Sequence, residues 1–150
     1  MSLKTRISDD MKAAMKARDS QRLSAVRMLL AAIKQREVDE RIELDDAGVI
    51  AVVERAVKQR KDAASQYEAA GREDLAGNER FEIEVLSAYL PAQLDDAAIA
   101  EAVRAAIEST GASGPADMGR VMGQLKGTLA GQADMSLVST HVRRALTGKG

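Results

Sequence analysis

The sequence contains no cysteine and no tryptophan, and its aromatic residues are confined to Tyr67, Phe81 and Tyr89. Without cysteine there are no disulfides, no thiolate nucleophile and no Cys-bearing zinc site. A single histidine, His141, removes most of the remaining acid–base dyads. Placed on a helix beside Arg143 and Arg144, it reads as a surface or boundary residue. No apolar run approaches the roughly 18 residues needed to cross a bilayer. The N-terminal stretch "MSLKTRISDDMKAAMK" has no apolar signal core, and Asp9 with Asp10 argues against a transit peptide. A cytoplasmic location is the resulting expectation, with no membrane partner.

The charge is close to balanced overall, a formal −1, yet unevenly spread. Residues 1–36 hold nine Lys/Arg against three Asp/Glu, and residues 118–150 hold five against one. The middle is acidic. Basic ends allow a local phosphate-binding patch despite the balanced total, although solvated helix faces that pair with one another explain the same counts. The acidic pairs Asp9/Asp10, Asp45/Asp46 and Asp95/Asp96 sit where helices begin, and a carboxylate favoured by the helix dipole accounts for them. No catalytic residue, metal ligand or cofactor site is expected.

Strand signals are nearly absent, and apolar residues recur at helical spacing throughout. Leu3, Ile7, Met11 and Met15 form a first stripe, and Asp19 can cap a second helix with Leu23, Val26, Leu30 and Ile33 inward. The charged stretch "REVDERIELDD" reads as a loop or fraying end. Asp45 can cap a long helix bearing Val49, Val52, Val53, Ala56 and Tyr67, stopped by Gly71. A fourth helix, from about 72 to 88, offers Leu75, Phe81, Val85, Leu86 and Tyr89. Pro91 ends it. Asp95 starts a helix with Ile99, Val103 and Ile107 that stops at Gly111, and "STGASGP" follows as the most flexible-looking stretch. A glycine-bearing helix and a last one capped by Asp134, with Leu137, Val138, Val142 and Leu146, complete the chain. The expected fold is all-α, with an N-terminal helical unit over 1–90 and a three-helix unit over 95–150.

Within "MGRVMGQLKG", glycine recurs at 119, 123 and 127, and Gly131 continues the step. Each interior glycine costs about 1 kcal/mol relative to alanine, so something is expected to approach that backbone. Arg120, Gln124 and Lys126 lie inside the column, which excludes a transmembrane GxxxG reading. No GK[ST] follows and no strand precedes, so it is not a P-loop. Two readings remain. In one, glycine lets the last helix pack closely, at one or more of the three positions. In the other, the bared face between Arg120 and Lys126, with Arg143 and Arg144 on the next helix, receives RNA phosphate or ribose.

The segments "DDMKAAMKARDSQRLSAVRMLLAAIK", "KQRKDAASQYEAAGREDLAGNE", "EIEVLSAYLPAQL" and "DMGRVMGQLKGTLAGQAD", in that order, resemble the YqeY-like proteins of the GatB/YqeY family over about residues 3–147. That family shares its helical module with the tail of the B subunit of the tRNA-dependent amidotransferase, which contacts tRNA and contributes no catalytic group. The resemblance implies two all-α subdomains, tRNA binding, and the family-level label of carbon–nitrogen ligase activity with glutamine as amido-N-donor. A tRNA-binding module is expected to act with an amidotransferase, an aminoacyl-tRNA synthetase or the ribosome, and no DNA is expected. This chain has neither the kinase-like cradle nor the Ser/Lys amidase of such an enzyme, so alone it is expected to catalyse no amidation. The candidate RNA-binding residues are Gly119, Arg120, Gly123, Lys126, Gly127, Gly131, Arg143 and Arg144. The alternative is a protein-interaction or accessory subunit without direct RNA contact.

Overall fold

A computed structural model describes residues 2–148; Lys149, counted among the basic C-terminal residues, lies outside them. Among the described residues there are seven α-helices, one 3-10 turn and no strand. No described helix is long and apolar enough to cross a membrane. The chain divides into two compact units, Met1–Leu90 and Pro91–Gly150.

The first unit contains α1 (Leu3–Lys16), α2 (Ser20–Glu40), α3 (Asp46–Ala69) and α4 (Glu73–Ser87). Its core gathers Ile7, Val26, Leu29, Ile33, Val49, Val53, Val85 and Leu86 from all four helices. Asp19 and Asp45 cap as expected, accepting from the backbone N–H groups of Arg22 and Gly48, and Gly71 turns the chain after α3 with φ of 73°. Half-buried between α3 and α4, Arg60 donates to Glu82 at 2.8 Å and to the Ala56 carbonyl. Tyr89 donates a 2.6 Å hydrogen bond to Asp10, and the Arg6 guanidinium lies 5.1 Å from its ring centre. Burial first, and this bond second, push the Tyr89 hydroxyl pKa well above its ordinary range.

Three sequence expectations change in this unit. Asp9 and Asp10, expected where a helix begins, lie in the middle of α1, whose cap is Ser2. Helix α2 does not fray at Arg36 but runs to Glu40. Arg36 bonds Glu40, Gln35 bonds Asp39, and Glu37 is held by Lys4 Nζ at 2.7 Å and the Leu44 N–H at 2.8 Å. The charges that looked aperiodic are the ones that hold the last turn. Met15, placed in the inward stripe of α1, is instead exposed, and Ala14 takes the buried position. Over 14 residues the apolar row at steps of four drifts by about 40° per step, which carries Met15 off the core side.

The second unit contains α5 (Asp96–Thr110), a 3-10 turn (Pro115–Asp117), α6 (Met118–Thr128) and α7 (Met135–Thr147). Ile99, Val103, Ala106, Val121, Leu125, Leu129, Val138 and Val142 make its core. Asp95 and Asp134 cap α5 and α7 through the Ala98 and Ser136 N–H groups. The segment before α5 is fastened to the α6–α7 turn: Gln93 Nε2 donates to the Gly131 carbonyl at 2.6 Å, and the Leu94 N–H to the Gln132 carbonyl at 2.9 Å.

Candidate nucleic-acid interface

Helix α6 is built around one buried edge. Val121 and Leu125 are 0% and 1% exposed, with Met118 and Met122 half-buried beside them. At about 100° per residue, Gly119, Gly123 and Gly127 fall on the opposite side, and all three are exposed. Beyond its chain neighbours and its own helix backbone, a Cβ added at any of them would meet nothing within 4 Å. The expectation that at least one of them packs against the last helix is therefore overturned. Val121 and Leu125 claim the core, and four-residue spacing keeps the glycines away from it.

Lys126 and Arg120 border the glycine row on either side, as the same geometry requires. They differ in availability. Arg120 donates to Asp117 Oδ1 at 2.7 Å and to the Thr110 carbonyl at 3.2 Å, bracketing the start of α6 to the end of α5. The Asp117 carboxylate is held down to a pKa of about 2 by the Ser113 N–H first and the Arg120 side chain next. Much of the Arg120 charge is thus spent inside the fold, and an acid three residues earlier was the sequence signal for it. Lys126 is exposed and has no carboxylate within ion-pair distance among the described residues.

On α7, Val138, Val142 and Leu146 face the core, while Arg143 and Arg144 are exposed. Neither has an acidic partner within 4 Å among the described residues. Leu137, half exposed, lies seven residues before Arg144 and so on the same line of the helix. His141 is mostly buried, with Nε2 3.5 Å from Asp96, at the boundary where it was expected. Gly131 is separate from the glycine row. It is buried in the turn after α6, with φ of 75°, and its carbonyl accepts from Gln93. Its four-residue spacing suggested continuity, but the helix has ended at Thr128.

Among the described residues there is no cluster of three metal-ligating groups, and His141 with Asp96 is the one histidine–carboxylate contact. What the arrangement presents is bare helix backbone on α6 beside Lys126, and on α7 two guanidinium groups with no ion-pair partner among the described residues. Such a surface can take anionic oxygens and permits close approach to the main chain.

Residues 4–146 match the family model described as "Yqey-like protein". The curated relatives include proteins named "Altered inheritance of mitochondria protein 41, mitochondrial". That of Vanderwaltozyma polyspora is 34% identical over 85 residues, 56% of this chain and 46% of the relative. That of Lachancea thermotolerans is 35% identical over 85 residues, with the same coverage of each. The Pyrenophora tritici-repentis protein is 25% identical over 148 residues, 96% of this chain and 81% of its own length. The chain thus spans about half the length of the first two of these relatives. The expected cytoplasmic location does not stand, because these relatives carry mitochondrial names.

Proposed function

This chain belongs to the YqeY-like protein family, and we propose that it is a non-catalytic tRNA-binding accessory module whose contact surface is the outward side of α6 and α7. One observation carries the reading: three glycines stand on a solvent-facing helix row beside a lysine with no ion-pair partner among the described residues, and a methyl group placed on any of them would meet nothing within 4 Å beyond its chain neighbours and its own helix backbone. Inside the fold nothing offsets their propensity cost of about 1 kcal/mol each. A ligand that must come within contact distance of the helix backbone supplies the missing reason. Phosphate and ribose are such groups, and they are positioned by Lys, Arg and main-chain donors without sequence readout. Lys126, Arg143 and Arg144 are the cations free to serve. An amidotransferase or an aminoacyl-tRNA synthetase is the protein partner that this reading favours.

A protein partner without RNA contact is the second reading, and the half-exposed Leu137 beside Arg144 on α7 is the observation that favours it. Salt separates the two, since phosphate contacts weaken steeply with ionic strength. Binding of unfractionated tRNA by fluorescence anisotropy at 50 and 200 mM salt is the test. The wild-type chain should bind with a steep salt slope, and the combined Lys126→Ala, Arg143→Ala and Arg144→Ala variant should reduce that slope by roughly one per lost contact. Wild-type and variant curves that coincide at both salt concentrations would overturn the α6–α7 assignment.

A further inference from the structure

The N-terminal unit carries a second group of cations, and the fold spends only some of them. Lys4 pairs with Glu37, Arg22 with Asp19 and Arg36 with Glu40, while Arg6 lies over Tyr89 and donates to the Ala88 carbonyl. Lys12, Lys16 and Arg18 have no carboxylate within ion-pair distance among the described residues. They gather at the end of α1 and the turn into α2. Lys12, Met15 and Lys16 line an open hollow of about 300 Å³, and the exposed Met15 forms its apolar part.

Backbone conformation at Arg18 supplies an independent observation. Three helix ends share one hydrogen-bond pattern, in which a left-handed residue donates three residues back and the next donates five back. At α3 that residue is Gly71, donating to Glu68 while Arg72 donates to Tyr67. At α5 it is Gly111, donating to Glu108 while Ala112 donates to Ile107. At α1 it is Arg18, donating to Met15 while Asp19 donates to Ala14. Arg18 has φ of 57°, a left-handed conformation that glycine adopts without strain and that an arginine adopts at a cost. Of the three ends that share this pattern, two place glycine there and α1 places an arginine; α2 also ends on a left-handed arginine, Arg41, with φ of 54°. Strain of this kind collects where the side chain is used.

We propose that the end of α1 and the α1–α2 turn form a second RNA-backbone contact, in which Lys12, Lys16 and Arg18 meet phosphates and Met15 seats a sugar or base. The inference rests on the RNA-binding reading above and extends it to the other unit. Two lysines four residues apart project from one helix face, as separate point charges suited to successive phosphate oxygens. A protein interface would need an apolar centre of several residues. Among the described residues that line the hollow, Met15 is the only apolar side chain, and the aliphatic stems of Lys12 and Lys16 supply the rest of its largely apolar wall.

The test uses the full chain and unfractionated tRNA, by anisotropy at 50 and 200 mM salt. If Lys12 and Lys16 each neutralise one phosphate, a Lys12→Ala/Lys16→Ala variant should lose affinity between the two salt concentrations roughly tenfold less than the wild type does. Arg18→Gly should weaken binding while its melting temperature stays level or rises, a combination that a purely structural role for Arg18 would not give. Lys61→Ala, an exposed cation on α3, controls for net charge and should change the salt dependence less. Wild-type salt dependence in both α1-end variants, with loss in the Lys126/Arg143/Arg144 variant, would overturn this contact and leave the α6–α7 surface standing. Absence of tRNA binding by the wild-type chain at 50 mM salt would overturn both.

Discussion

Replacing Gly123 with alanine should make the protein more stable. Gly123 stands in the middle of α6, five residues after Met118 and five before Thr128, so the full propensity difference of about 1 kcal/mol applies there. Beyond its chain neighbours and its own helix backbone, a methyl at this position meets nothing within 4 Å, so overpacking subtracts nothing from the gain. Gly119 and Gly127 lie next to the helix ends, where fewer helical hydrogen bonds depend on them, and roughly half that gain is expected at each. The C-terminal unit has about sixty residues, and for a domain of that size 1 kcal/mol shifts Tm by about 4–8 °C. Far-UV circular dichroism on heating, with the helical signal followed for each single variant and for the triple one, reads this directly. Gly77→Ala on α4, also without an atom in reach, is the control outside the proposed surface. It should gain stability and leave tRNA affinity unchanged. At Gly123 the same methyl should gain stability and weaken tRNA binding. A fall in Tm for Gly123→Ala would refute the open-space argument. A rise in Tm with tRNA affinity unchanged in all three α6 variants would show that the glycines play no part in RNA contact.

Three further outcomes follow from the polar contacts. Asp117, held at a pKa of about 2, adds stability that is present above the ordinary carboxylate range and lost as pH falls through that value; thermal melts of Asp117→Asn from pH 5 to pH 2 should therefore show less acid sensitivity than the wild type. Glu37 is lowered by Lys4 first and the Leu44 N–H next, so Glu37→Gln should be less stable at pH 7, and the difference should close in acid once the wild-type carboxyl is protonated. Tyr89→Phe removes the donor to Asp10 and should cost about 1 kcal/mol in urea unfolding at neutral pH. Because the Tyr89 hydroxyl pKa is raised on folding, the wild type should also lose stability above about pH 10, and the Phe variant should lack that contribution.

The all-α class was readable because both helix ends and helix faces leave local marks. Asp19, Asp45, Asp95 and Asp134 each accept from a first-turn N–H, a signal contained within a few residues of sequence. Gly71 and Gly111 mark stops for the same reason. What depended on distant partners was not readable. The last turn of α2 is fixed by Lys4, 33 residues before Glu37, and no local pattern announces that. Choosing between Leu29 and Leu30 also needed the neighbouring helices, since both fit a helical stripe and only Leu29 is fully buried. In the candidate site, the glycine row was visible, but which side of α6 it occupied was decided by Val121 and Leu125 finding the core. Arg18 gave no sign at all, because arginine is not a residue that sequence patterns associate with a left-handed backbone.

The fastening of residues 93 and 94 to the α6–α7 turn has a mechanical consequence. Tension applied to the chain at Pro91 does not reach α5 first. It is taken up by the Gln93–Gly131 and Leu94–Gln132 hydrogen bonds, and delivered to a turn about forty residues further along the chain. A pull at one end of this unit is therefore felt where α6 hands over to α7, and those two bonds must yield before α5 begins to unwind.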